Sequence, residues 1–188
     1  MKKLTKILAM LLVVASLATL MVGCNGEESI SKEEALPIVQ KLMEGVFEIN
    51  RIHYGDGLEH IDIETNNAYV EMSSSEKYKS LEEIKAFTRS ILTERYAEEL
   101  IVSTFEGRYS AGGGTLAQPR YIEVGDAILV RKDIEPLVDV YVYDLDTIEI
   151  KETTSNIINA QVTTIDGNIK SIQVRLEENG WRINSTTY

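Results

Sequence analysis

Cysteine, histidine, tryptophan and proline are all scarce in this chain of 188 residues, which holds one, two, one and three of them. A lone cysteine rules out an internal disulfide and a cysteine-based zinc cluster, so the fold must rest on packing alone. The two histidines, His53 and His60, have Asp56, Glu59 and Asp62 nearby. Their spacing suits no regular element, and the stretch 51–67 reads as a polar, Gly-punctuated loop with solvated histidines rather than a metal site. No G-x-S-x-G, H-E-x-x-H or phosphate-loop pattern occurs, and Gly112-Gly113-Gly114-Thr115 lacks the lysine that cradles a phosphate. The serines cluster at helix caps and turns, where local hydrogen bonds occupy them. No catalytic residue and no cofactor is expected. Positive charge is also in deficit: 19 basic residues face 30 acidic ones, a formal net charge of −11. Such a polyanion repels nucleic acid and anionic headgroups.

Long apolar runs are nearly absent too. The single one, residues 7–22, carries no charge and follows Lys2, Lys3 and Lys6. It falls short of the ~20 residues of a bilayer span and has the order of a secretory signal, basic then apolar then small. It ends in Leu20-Met21-Val22-Gly23-Cys24, which resembles the lipobox of bacterial lipoproteins, with Met21 where leucine is commonest. That resemblance implies cleavage after Gly23, acylation of Cys24, and a protein tethered by lipid outside the cytoplasmic membrane. The expected organisation is a signal peptide over 1–23, a lipidated tether over 24–30 and one domain over 31–188. Losing residues 1–23 removes three lysines and no acid, which takes the charge to −14.

Within the domain, Ser31-Lys32-Glu33-Glu34 forms a capping box, and Leu36, Val39, Leu42, Met43, Val46 and Phe47 recur at helical spacing. A helix to about residue 50 follows, with Pro37 awkward inside it. A short strand is expected over 68–72. Ser80-Leu81-Glu82-Glu83 opens a second helix, kinked near Thr93 and ending at about residue 99. From residue 100 the period changes to two. Strands are expected over 101–105, 120–124, 127–131, 138–143, 147–152, 157–165, 169–176 and 181–184. Gly125-Asp126, Asp166-Gly167 and Asn179-Gly180 supply the hairpin turns. Helices first and a long antiparallel meander after them predict an α+β domain, with helices on one face of a curved sheet.

Two resemblances sharpen this reading. The closing strands with Gly180-Trp181-Arg182-Ile183 resemble the end of cystatin-like and NTF2-like domains, in which the Trp and Ile pack on the helix. The resemblance is architectural and covers roughly 31–188. In the middle, Tyr69-Val70, Tyr78-Lys79-Ser80-Leu81-Glu82-Glu83-Ile84-Lys85-Ala86-Phe87 and Tyr121-Ile122-Glu123-Val124-Gly125-Asp126-Ala127-Ile128-Leu129-Val130 are similar to the IseA family. Its members are exported cystatin-like proteins that inhibit cell-wall DL-endopeptidases of the NlpC/P60 type.

Nine tyrosines against three phenylalanines is a skewed aromatic set. Tyr109, Tyr121, Tyr141 and Tyr143 lie on or beside the expected sheet. Tyrosine and arginine favour interfaces, although tyrosine also packs across strands. The long loop around Gly112-Gly113-Gly114 is the expected recognition element. Arg108, Tyr109, Gly113, Tyr121, Glu123 and Asp126 are the expected partner-contacting residues. The expected function is a lipid-anchored binding protein that blocks the cleft of a secreted cell-wall hydrolase. Two alternatives stand beside it: a small-molecule or peptide module using the concave face of the sheet, and an accessory subunit of a membrane complex.

Overall fold

A computed structural model describes residues 29–66, 68–109, 115–133 and 140–187. Helix α1 (Lys32–His53) begins at the predicted capping box: Glu34 N–H donates to Ser31 Oγ at 3.2 Å, and Ser31 N–H to Glu34 Oε2 at 3.1 Å. Glu33 and Glu34 sit at the positive end of the helix dipole. Pro37 falls in the second turn and interrupts nothing beyond its own missing amide. Val39, Leu42, Met43, Val46, Ile49 and Ile52 form the buried stripe. At Gly45 a side chain would meet Ile91 Cδ1 at 2.4 Å, so the glycine sets how closely the next helix approaches.

Strands β1 (His60–Asn66) and β2 (Tyr69–Met72) follow, then helices α2 (Leu81–Ile91) and α3 (Glu94–Ile101). Ser80 caps α2 by accepting from Glu83 N–H at 3.2 Å. The expected kink is a true break. Leu92 is extended and bridges to Ile183, and Thr93 N–H donates to the Ile183 carbonyl at 2.9 Å. Two residues therefore leave the helix to cover the edge of a sheet, a common remedy for an open strand.

A π-helical turn, Val102–Glu106, continues α3. This corrects the strand expected over 101–105. The segment is rich in β-branched residues, but its buried members are Ile101, Thr104 and Phe105, a helical spacing, while Val102 and Ser103 face out. The loop expected over 51–67 is corrected as well: α1 runs on to His53, and β1 occupies much of the rest.

The remaining strands are β3 (Arg108–Tyr109), β4 (Thr115–Ala117), β5 (Tyr121–Val124), β6 (Ala127–Arg131), β7 (Tyr143–Thr153), β8 (Ile157–Thr164), β9 (Ile169–Glu177) and β10 (Gly180–Ile183). They do not form one meander. One four-stranded antiparallel sheet has the order β1-β2-β6-β5, a second has β10-β9-β8-β7, and β3-β4 is a separate pair. The β5–β6 hairpin joins the second sheet's sequence neighbours nowhere; it pairs with β2, Val70 standing opposite Val130. Residues 140–142 are not strand, and the rest of the segment expected over 138–143 lies partly outside the described residues.

The meander is an alternating sheet. Ile158, Ala160 and Val162 of β8, Ile172 and Val174 of β9, and Ile183 of β10 all point into the core with α1. Trp181 packs against the same core, and Arg182 points away from it, opposite Arg175. The C-terminal end is tied down by α1 and β7: Asn50 Nδ2 and Tyr143 OH donate to the Thr187 carbonyl at 3.0 and 2.9 Å.

Candidate functional site

Among the described residues, a buried polar cluster lies where the end of α1 meets α2, the π-helical turn and β5. His53, on the last turn of α1, is 6% exposed. Its Nε2 lies 3.0 Å from Thr88 Oγ1 and its Nδ1 2.7 Å from Thr104 Oγ1. The Thr88 hydroxyl spends its only proton on the Ile84 carbonyl at 2.9 Å, so it accepts from His53. Nε2 therefore carries the hydrogen, and Nδ1 accepts from Thr104. Both nitrogens are satisfied in the neutral ring alone. Burial, and then the charge of Arg120, push the imidazole down to about 3.

Beside it, Tyr121 is 0% exposed. Its hydroxyl donates to the Ile52 carbonyl at 2.7 Å and accepts from Leu58 N–H at 3.2 Å and Arg120 Nε at 3.1 Å. Ile52 is among the last residues of α1, whose carbonyls have no partner within the helix. The neighbouring ones are taken by the turn itself: Asn50 O accepts from Gly55 N–H, and Arg51 O from Gly57 N–H. Arg120 also donates to the Gly55 carbonyl, which places its charge at the negative end of the helix dipole. Gly57 makes this closure possible, with φ +83° and the Tyr121 hydroxyl 2.8 Å from where a side chain would begin.

A charged rim borders the knot. Arg51 bridges Glu48 at 2.8 Å and Glu76 at 3.0 Å, and Lys77 reaches Glu48 at 3.0 Å. Burial alone would raise the Glu48 carboxyl, but hydrogen bonds and charge from Arg51 and Lys77 outweigh it and hold it at about 2. Tyr78 is buried next to this rim with a hydroxyl that makes no hydrogen bond. Burial and the Glu48 charge raise that phenol well above its ordinary range. Every group of the knot is committed inward, so it ties the end of α1 to α2, the π-helical turn and β5.

The expected recognition residues fare unequally. Tyr121 is a correction: it is fully buried and cannot touch a partner, because its hydroxyl is the cap that α1 needs. Tyr143 is buried too, with its hydroxyl on Thr187. Arg108 and Tyr109 form β3, paired with β4 on the backbone. Gly113 and Cys24 lie outside the described residues. Glu123 and Asp126 are exposed on the β5–β6 hairpin, where Val124 also faces out and Gly125 takes a positive φ at the open tip. Asp126 lines a shallow depression of about 330 Å³ with Ile61, Met72 and Lys79. The histidines do not converge: His53 is locked in the knot, and exposed His60 sets Nδ1 3.2 Å from the Leu58 carbonyl. Among the described residues no three His, Cys, Asp or Glu groups are placed to hold a metal ion.

Two outward features escaped the pattern reading. One is an open groove of about 900 Å³ along α3, lined by Tyr54, Leu92, Tyr96, Leu100 and Val102 and by Ser185–Thr187 at the C-terminal end. The other is the β8–β9 turn, where Ile165 and Ile169 are 72% and 67% exposed. Alternation in the flanking strands located that hairpin, but not which side of it stays bare. No known family model and no curated protein matches the chain. None of the described helices is long and apolar enough to cross a membrane.

Proposed function

We propose that this is a lipid-anchored extracytoplasmic binding domain, cystatin-like or NTF2-like in fold, that occludes the cleft of a cell-wall DL-endopeptidase of the NlpC/P60 type. The anchor is read from Cys24 and its lipobox-like context. The finer fold assignment rests on α1 lying against a β10-β9-β8-β7 meander that closes on Trp181 and Ile183.

The observation that carries the functional part is where the polar and apolar groups are spent. The inner face of the meander is filled by α1, with Ile158, Val174 and Ile183 fully buried. His53, Arg120 and Tyr121 are consumed by internal hydrogen bonds. What the domain presents is outer surface: acidic, with apolar residues at hairpin tips. Such a surface acts by steric exclusion and by electrostatic steering toward a basic partner. The packed inner face counts against a ligand held in the concavity of the sheet.

A second reading keeps a foothold in the groove along α3, whose aromatic and aliphatic walls suit a short apolar peptide or small molecule. One experiment separates the two. The exported chain is titrated into peptidoglycan digests by purified NlpC/P60 endopeptidases. The inhibitor reading expects saturable loss of DL-bond cleavage that weakens as salt is raised. Full cleavage at saturating chain would refute it and turn attention to the groove.

A further inference from the structure

The β8–β9 turn is built to be rigid and yet left greasy. Gly167 takes φ +88°, and its N–H donates to the Thr164 carbonyl at 2.8 Å. Thr164 N–H donates to the Asn168 carbonyl at 2.8 Å. The Thr164 side chain accepts from Asn168 N–H at 3.0 Å and also meets the Asp166 carboxylate. Asn168 Nδ2 holds the other Asp166 oxygen at 2.6 Å. This bracing presents Ile165 and Ile169 to solvent from either side of the turn. Ile165 N–H donates to the Val142 carbonyl at 2.9 Å, which brings in a third apolar side chain, 47% exposed. Isolated exposed aliphatics are ordinary, but a cluster on an ordered tip marks a contact surface. A tip already ordered loses little entropy on binding.

Charge and position indicate what covers it. Exposed Asp144, Asp146 and Asp166 surround the tip, with Asp144 opposite Thr163 and Thr163 opposite Ile169 across three strands. Lys170, the nearby cation, lies 3.7 Å from the Tyr141 ring centroid and is engaged there. The tether enters at the far end of the same strands: Ile30 N–H donates to the Thr154 carbonyl, in the β7–β8 connection. Strand β8 separates the two ends by roughly 25 Å at ~3.4 Å per residue. On the lipid-anchored reading, the chain from Cys24 joins the domain at the end of β8 opposite this tip.

The geometry points to the β8–β9 tip, Ile165 and Ile169 with Val142, as the wedge that enters a partner enzyme's cleft, one with an apolar floor and a basic rim. This rests on the inhibitor reading above and names the element that performs it, in place of the β5–β6 hairpin. The test compares the full chain with an Ile165→Ser/Ile169→Ser variant and with Val124→Ser at the other tip, using purified NlpC/P60 endopeptidases. Both substituted isoleucines are exposed, so an unchanged denaturation midpoint establishes that the variant folds. The expected result is inhibition by the wild type, a loss of at least about tenfold for the double serine variant, and no change for Val124→Ser. Equal inhibition by wild type and double variant overturns the wedge while leaving the inhibitor reading standing. No inhibition by the wild type overturns both. Two further arms assign the tip elsewhere and equally overturn the wedge. One is a wild-type dimer in sedimentation that the serines dissolve. The other is binding of the unlipidated chain to phosphatidylglycerol vesicles that the serines abolish.

Discussion

Acidifying the protein should expose His53 as its weak point well before the carboxylates titrate. The folded imidazole is held at about 3 against an ordinary value of 6.5. The direction follows from proton counting. Between those values the unfolded chain binds a proton at this site and the folded one does not, so stability falls as pH falls. The contribution is complete above 6.5 and is lost at up to ~1.4 kcal/mol per pH unit below it. From pH 7.5 to pH 5 the loss is about 2 kcal/mol, a large part of a typical domain's 5–15 kcal/mol. The physical cost is specific. A proton on Nδ1 would confront the Thr104 hydroxyl, which now donates to it, and would add a second buried cation beside Arg120.

The assay is urea unfolding of wild type and His53→Gln at half-unit steps between pH 7.5 and 5. Glutamine retains an amide donor for Thr88 and an acceptor for Thr104 but does not titrate in this range. Carboxylates such as Glu48 and Glu76 are depressed by their ion pairs and contribute a common background to both curves. The difference between the curves should therefore grow to about 2 kcal/mol at pH 5. Parallel curves would refute the neutral, doubly hydrogen-bonded ring.

Two substitutions test the neighbouring packing. Tyr121→Phe removes the hydroxyl shared by Ile52 O, Leu58 N–H and Arg120 Nε, so it should cost about 3 kcal/mol in denaturant unfolding and speed hydrogen exchange at the Leu58 amide; a loss under ~1 kcal/mol would deny the cap its role. Tyr78→Phe deletes a buried hydroxyl that makes no hydrogen bond, and the same unfolding assay should find it neutral or stabilising; a loss above ~1 kcal/mol would show that the phenol holds the Glu48 rim in place.

Where the chain could be read in advance, local signals agreed with each other. The capping boxes at Ser31 and Ser80, the helical stripe from Val39 to Val46, and the Asp166-Gly167 and Asn179-Gly180 turns each carry a short-range physical cause, and α1, α2 and the meander follow from them. Two failures have tertiary causes. Residues 101–105 have strand-forming side chains, but the buried positions Ile101, Thr104 and Phe105 follow a helical period that only the packed structure decides. Gly125-Asp126 marks the β5–β6 hairpin, yet nothing local states that its partner is β2, a strand some 50 residues earlier. The site is a sharper case. The general preference of tyrosine for interfaces puts Tyr121 among the expected contact residues, whereas its hydroxyl, with Arg120, caps a helix from within. His53 falls at the start of a polar, Gly-punctuated stretch that reads as a loop, although Ile49 and Ile52 carry the apolar stripe of α1 past residue 50. A histidine in a last turn, with Thr88 and Thr104 brought to it from distant segments, has no signature in spacing.

That reassignment changes where function can reside. Buried polar groups with every donor and acceptor met fix a unique arrangement of elements, and the His53–Arg120–Tyr121 knot does this for α1, α2 and β5. Its energetic role is to hold β5 and its sheet at a set disposition to the two helices. An inhibitor that works by shape needs such a frame more than it needs reactive side chains, because flexibility at the contact would be charged against affinity. Under the inhibitor function proposed above, the acid sensitivity of His53 extends from stability to binding. Below pH 6 the loosened frame should weaken inhibition by an amount that His53→Gln removes, whereas a surface acting only through its charges would show the same acid response in both proteins.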